Sequence, residues 1–338
     1  MLSNDVQISR TIFKWCSLLL KLTFKPHVEM YKSVPSDLKN IILNADLYKL
    51  HKSGKNNSNF GMDNTSALLD EGFGLYSTID LKKNIGPIKT QYFRISLTRN
   101  GHATFDIGLE KYKTQRDSIL FGIPGQIFSL HQFSDDFLAY YMLFTEKFIN
   151  EVILKSNRKQ PFPFLSYSGL QSFLLDNNTA NEIELIIFKI NDEVKENKTD
   201  ACEMIKLFIH QIILLANRNY GTVLLSNQSS PNPHQVLYNH FLKAVSQYFL
   251  AVRKVSSYAD MLHVSSDHLN RAIKSCSDKT AHEHIDEMFL MEAKAYLLHT
   301  TLTMAEIAYR LEFSDPSHFN RFFKKYAGLT PVDFRNQS

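Results

Sequence analysis

Residues 258–265 read YADMLHVS, and residues 307–314 read IAYRLEFS. Ala259 matches Ala308, Leu262 matches Leu311, Val264 stands opposite Phe313, and Ser265 stands opposite Ser314, all at an offset of 49. Past the serine the offset becomes 50: His268-Leu269-Asn270-Arg271 pairs with His318-Phe319-Asn320-Arg321, and Lys274 pairs with Lys324. The extra residue falls where a loop meets a helix. A repeat of this length predicts two copies of one supersecondary unit.

Each copy reads as a helix-turn-helix. A small Ala in the first helix lets the second approach closely, and the Leu that follows, with Val264 or Phe313, closes the core across the turn. Ser265 or Ser266 can accept from the free N–H groups that open the next helix. In the second copy Asp315 sits at the cap position and Pro316 at the first helical position, where proline is favoured. Leu269 and Phe319 then point inward, which puts Asn270, Arg271 and Lys274, and Asn320, Arg321 and Lys324, on the outward side. Those side chains suit DNA: Arg makes paired hydrogen bonds to guanine, Asn to adenine, and Lys meets phosphate. From Pro316 to Val332 there are three cations, Arg321, Lys324 and Lys325, and no acid.

Between the copies, Ile285, Phe289, Ala293 and Leu297 keep a helical spacing. A connecting helix over His282 to Leu298 has 17 residues, so it is roughly 25 Å long at about 1.5 Å per residue. Successive major grooves on one face of B-DNA lie about 34 Å apart. A rod of that length, together with the width of the second helices, suits insertion into adjacent grooves.

Upstream, Leu237, Phe241, Val245, Tyr248 and Val252 form another helical stripe, so residues 234–338 read as an all-α domain. The polar, proline-containing run within 217–233 reads as the linker before it. Ile183, Ile186, Ile187, Ile190 and Val194 form one stripe, and Ile205, Phe208, Ile209 and Ile212 form another. These are either two helices packed as a hairpin or faces that pair between subunits. From Gly72 to Phe144 the period is that of short strands. Tyr92 to Leu97 alternates, turns through Asn100-Gly101 and returns as Ala103 to Ile107, which predicts a hairpin. Ser118 to Ile123 and Gln126 to Leu130 flank Pro124-Gly125, and Phe137 to Phe144 is a further apolar run. The segment 66–216 is therefore expected to be a small β-sandwich or barrel with trailing helices. Residues 1–65 form a heterogeneous extension that ends in the polar loop Lys52 to Asn59.

Composition narrows the function classes. The chain has 338 residues, enough for two domains or three. Its net charge of +4 is too small to mark a nucleic-acid binder by bulk charge, so the local arrangement of cations has to carry that reading. Cys16, Cys202 and Cys276 are odd in number and far apart, which offers neither a disulfide framework nor a CxxC zinc site and fits a reducing cytoplasm. Ile12 to Phe24 is apolar-rich, but Lys14 and Lys21 interrupt it. It reads as a short amphipathic helix and not as a signal peptide or membrane span, so no membrane partner is expected.

Residues 236–335 resemble the DNA-binding domain of the AraC/XylS family of bacterial transcription regulators. Ala305 to Arg335, AEIAYRLEFSDPSHFNRFFKKYAGLTPVDFR, resembles the family signature nearly throughout. MEAKAYLLHTTLTM, Met291 to Met304, resembles its linker helix, and SSYADMLHVSSDHLNRAIK is similar but looser. The resemblance places base-reading positions on Asp267, Asn270 and Arg271, then on Pro316, Ser317, Asn320 and Arg321. FRISLTRNGHATFDI, the PGQ at Pro124 to Gln126, and Leu143 to Ile149 resemble the family's cupin-like sensing domain. It implies an α+β multidomain protein: a cupin-like β-barrel with trailing helices, then an all-α domain with two helix-turn-helix units. The implied function is sequence-specific, ligand-responsive transcription regulation by a cytoplasmic homodimer. Its partners would be double-stranded promoter DNA, a small-molecule effector and, for an activator, RNA polymerase.

The sequence departs from the family at several places. The turn position often held by Gly is His263 in one unit and Glu312 in the other, the Arg often seen in the linker helix is Phe289, and the glycine usual after the first unit's Lys is missing from Ser275-Cys276-Ser277-Asp278. Asp267 reads as a helix cap or as an acceptor from a cytosine amine. His268 and His318 either orient against phosphate or pack on the helix flank. His102 and His131 lack the HxH pair of a metal-binding cupin, so no metal, cofactor or catalytic residue is expected. A cupin-fold enzyme with a helical appendage would need a ligand cluster that this sequence does not display. A constitutive DNA-binding protein whose β domain only dimerises is the other alternative.

Overall fold

The computed structural model describes residues 60–62, 67–149, 162–167, 169–196, 198–226 and 232–337. They lie within one compact unit, Ile42–Ser338. The amphipathic helix expected at 12–24, the polar loop at 52–59 and Cys16 lie outside the described residues.

Among the described residues nine antiparallel strands build the N-terminal domain: β1 Phe73–Ser77, β2 Ile85–Lys89, β3 Tyr92–Asn100, β4 Ala103–Ile107, β5 Glu110–Thr114, β6 Ser118–Gly122, β7 Ile127–His131, β8 Leu138–Thr145 and β9 Ser172–Leu174. They make two open sheets, five-stranded β1-β8-β3-β6-β9 and four-stranded β2-β7-β4-β5. Of the expected sandwich or cupin-like barrel, the described residues form a two-sheet sandwich whose sheets are not closed into a barrel. The period of two sorts the side chains of β6 between two cores. Ile119 and Phe121 join the helices behind the five-stranded sheet, while Leu120 joins Phe105, Phe128 and Leu130 between the sheets.

The expected hairpin through Asn100-Gly101 does not form. β3 pairs with β6 and β8, whereas β4 pairs with β5 and β7 in the other sheet. Asn100-Gly101 is the corner where the chain crosses between the sheets. Gly101 takes φ +64° there, and a Cβ on it would meet Ser134 Oγ at 2.3 Å. The residue type reads correctly as a turn, but pairing is decided by which sheet buries each strand. β9, too short to be read against the helical stretch around it, pairs with β6. Beside it Gln126 and Gln171 form a buried reciprocal amide pair, with N–O distances of 3.1 and 2.8 Å, and Gln126 also accepts from Ile123 N. These bonds account for the glutamine of the PGQ turn.

After the single helical turn α1 (Glu146–Ile149), two long helices follow, α2 (Asn177–Glu196) and α3 (Ala201–Ser226). Their isoleucine stripes, Ile183, Ile186, Ile187 and Ile190 with Ile205, Ile209 and Ile212, are buried in one core with the five-stranded sheet. The two helices pack on each other within the chain. The expected linker 217–233 is helical at its front end, because α3 continues to Ser226. α4 then opens at Pro233, with Asn232 accepting from His234 N as its cap.

The C-terminal helices are α4 (Pro233–Tyr248), α5 (Val255–Met261), α6 (Ser266–Cys276), α7 (Ala281–His299), α8 (Met304–Arg310), α9 (Pro316–Ala327) and α10 (Pro331–Asn336). α7 buries Ile285, Phe289, Ala293 and Leu297, as the spacing predicts, and opens with a reciprocal capping box between Thr280 and Glu283. Among the described residues no helix is long and apolar enough to cross a membrane.

Candidate nucleic-acid interface

The two helix-turn-helix units are α5–α6 and α8–α9. Both turns run through a left-handed residue that is not glycine, His263 at φ 54° and Glu312 at φ 57°, at equivalent positions of the repeat. Ser265 caps α6 by accepting from His268 N at 3.2 Å, and Asp315 caps α9 by accepting from His318 N at 2.9 Å. That bond holds the Asp315 carboxyl below its usual range. Asp267 is not the cap of α6; it lies exposed in the first turn, where a carboxylate meets the positive end of the helix.

Burial separates the faces of the second helices. α6 buries Leu269, Ala272 and Ile273, and α9 buries Phe319 and Phe323. Asp267, Arg271 and Lys274 are exposed and Asn270 is half-buried; Ser317, His318, Asn320, Arg321, Lys324 and Lys325 are exposed, and Pro316 is half-buried. The histidines have ring partners. The rings of His268 and His234 lie 5.8 Å apart, and His318 meets Phe313 edge-on at 5.6 Å. Lys325 is tied down, because its Nζ donates to Tyr326 Oη at 3.1 Å and Tyr326 in turn donates to Asp286 of α7.

Two features escape the sequence reading. The outward face of α6 adjoins the start of α7, so that Asn270, Arg271 and Lys274 share an open groove of about 810 Å³ with Thr280 and His282. Arg253, between α4 and α5, lays its guanidinium on Phe289 and Phe313 at 4.2 and 4.7 Å from the ring centroids and donates to the Leu311 carbonyl. Thr280, His282 and Arg253 lie outside the repeat, so no pattern marks them.

Between the two sheets lies a small cavity of about 40 Å³. Ile85, Ile88, Phe105, Phe128 and Leu143 supply apolar walls, and Arg94, Tyr92 and Ser96 supply polar groups. Arg94 stacks over Phe128 at 3.4 Å, and burial lowers its pKa. Burial also pushes the Tyr92 hydroxyl up to about 12. Among the described residues no group of three or more His, Cys, Asp or Glu converges as a metal site. His131 lies 3.7 Å from Asp106, and His102 engages Ser134 through its backbone.

The helical domain rests on the four-stranded sheet. Lys89 Nζ of β2 donates to Glu292 Oε1 of α7 at 2.5 Å, with Glu292 0% exposed. One heptad on, half-buried His299 lies beside Pro87 of the same strand, with neither ring nitrogen in a hydrogen bond among the described residues. A Cβ on Gly108, in the β4–β5 turn, would meet Ser246 Oγ of α4 at 2.5 Å, so glycine is what allows that close approach.

Residues 258–337 match a family model described as a helix-turn-helix domain. The transcriptional activator RhaR of Enterobacter sp. (strain 638) is 22% identical over 171 residues, covering 50% of this chain and 59% of RhaR. The activator RhaS of Escherichia coli O1:K1 is 22% identical over 161 residues, covering 48% of this chain and 56% of RhaS. The match thus spans somewhat more than half the length of these relatives. Among solved structures, unsaturated fatty acid bound ToxT from Vibrio cholerae aligns with 78% of this chain and 94% of its own, at 15% identity and a TM-score of 0.37. Two capped units on one connecting helix, together with the matching family model, make residues 258–337 an AraC-type helix-turn-helix domain.

Proposed function

We propose that this chain is a sequence-specific transcription regulator, and not an enzyme, in which α6 and α9 read adjacent major grooves of promoter DNA. The observation that carries the reading is the repeated outward face: Asn, Arg and Lys stand at matching positions of two helices whose opposite faces are fully packed. α7, with 19 residues, is about 28 Å long, a span that suits readers in grooves about 34 Å apart. Arg271, Arg321, Asn270 and Asn320 would read base edges, and Lys274 and Lys324 would neutralise phosphate. Asp267, Pro316, Ser317, His268, His318 and Lys325 would line the same contact.

In this reading residues 234–338 are the DNA-binding domain and residues 66–216 a cupin-like sensing domain. The space beside Arg94 supports a small-molecule effector, since it joins apolar walls to a few polar groups. A cytoplasmic homodimer that contacts RNA polymerase completes the proposal, supported by relatives named as transcriptional activators. Selection of duplexes from a random pool by the full chain, followed by footprinting, tests it. Two protected patches one helical turn apart are expected. Recovery of no duplex above background would overturn it.

A further inference from the structure

The geometry points to Lys89 and Glu292 as positioning residues for DNA reading: a clamp by which the β-sandwich holds the connecting helix and aligns the two readers. This rests on the regulator reading above and adds to it the contact that controls alignment. α7 carries one helix-turn-helix unit at each end, so a bend within α7 changes the spacing between α6 and α9. Its Glu292 is fully buried against β2, with Oε1 on Lys89 and Oε2 without a hydrogen-bond partner among the described residues. A buried carboxylate with half its acceptors unused adds little stability, so the pair is better explained by the one arrangement it enforces. Glu292 and His299 lie seven residues apart on the face of α7 that packs on β2, where Glu292 holds Lys89 and His299 lies beside Pro87. The sandwich also touches α4, through Gly108 at Ser246. It therefore grips the domain at two helices while leaving Arg271, Asn320 and Arg321 exposed.

β2 has a second role in the same geometry. Its register slips between Ile85 and Ile88, which lets both face the interior although they are three residues apart. Both line the free space beside Arg94, while Pro87 and Lys89 meet α7. β2 is thus a wall shared between that space and α7.

The test compares full-length wild type with Lys89→Met and Glu292→Gln on two duplexes obtained by selection, one with both half-sites and one with a single half-site. Each substitution should weaken two-site binding about tenfold while changing single-site binding by less than about twofold. The double variant Lys89→Met/Glu292→Met, which removes both charges together, should recover much of the two-site affinity. Equal losses on both duplexes, or no loss on either, would overturn the clamp. Amide exchange decides the matter without DNA, so failure of the regulator reading is separable. In Lys89→Met, exchange should quicken over residues 288–299 and stay unchanged over 304–327. Unchanged exchange over 288–299 would overturn the clamp whatever the protein binds.

Discussion

The guanidinium of Arg253 lies on the ring of Phe289, 4.2 Å from its centroid, and reaches past it to the carbonyl of Leu311. Three elements meet there: the segment that ends the first helix of the domain, the connecting helix, and the turn of the second unit. Leu311 is the C-cap residue of α8, so its carbonyl is one that a helix end leaves without an intrahelical partner. The family pattern leads to an arginine in the connecting helix, where this chain has Phe289. A cation occupies the face of that ring all the same, supplied from a different place in the sequence.

Arg253→Ala should lower the stability of the domain by about 1–2 kcal/mol, from the loss of two ring contacts and a charged hydrogen bond on a side chain that keeps an exposed edge. Arg253→Lys should recover less than half of this, because an ammonium cannot both stack and reach the carbonyl. Denaturant midpoints of the full chain measure both. Equal stability of all three proteins would remove the cross-link between units.

Arg321→Ala should cost about 1–3 kcal/mol on the preferred duplex and relax preference at one base pair. Lys324→Ala should weaken every sequence alike and reduce the slope of log affinity against log salt by about one unit. Titrations on the preferred and a scrambled duplex, at several salt concentrations, separate the two behaviours. An arginine effect equal on both duplexes would assign Arg321 to phosphate.

The helical domain was legible because its units repeat. The offsets of 49 and 50 align Ala259 with Ala308 and Arg271 with Arg321, and the structure puts each pair in equivalent settings, down to the left-handed turns at His263 and Glu312. The stripes of α2 and α3 were legible for the same local reason, a period of 3.6 residues. Strand partners were not. Asn100-Gly101 is a turn in either topology, and only the burial of β3 against β8 and β6 decides that β4 leaves for the other sheet. Lys89 and Glu292 were silent as well, since 203 residues separate them and neither stands in a motif. Contacts of that kind arise from the packing of domains, which leaves no period in the chain.

Glu312→Gly should stabilise the protein by about 0.5–1 kcal/mol, because glycine adopts a left-handed turn without Cβ strain, partly offset by its greater freedom in the unfolded chain. The loss of the attraction between Glu312 and Arg253 works in the opposite direction. On an exposed turn beside the readers, removing a negative charge should also raise affinity for every duplex, more at low salt than at high. A parallel set of denaturation curves and salt titrations gives both numbers. A stability loss would mean that the Arg253 contact outweighs the backbone strain.

Acid should loosen the domain through its buried histidines. His284 is packed under Phe241 and Tyr238, its Nε2 3.1 Å from Ser277 Oγ and its Nδ1 3.8 Å from Glu287. Burial lowers its pKa, with Glu287 and Glu283 opposing the shift and Lys279 adding to it. Half-buried His299 is lowered for the same reason. A histidine kept neutral by folding binds fewer protons than in the unfolded chain. Its contribution is therefore complete above the unfolded value of about 6.5 and is lost as pH falls through the folded value. Asp106 and Glu110, whose carboxyls burial raises, act in the opposite sense at lower pH, so the wild-type curve alone does not isolate the histidines. The difference between wild type and His284→Gln does: the gap in melting temperature should be widest near neutral pH and narrow below about pH 6. A gap independent of pH would mean that His284 matters for its packing and not for its proton.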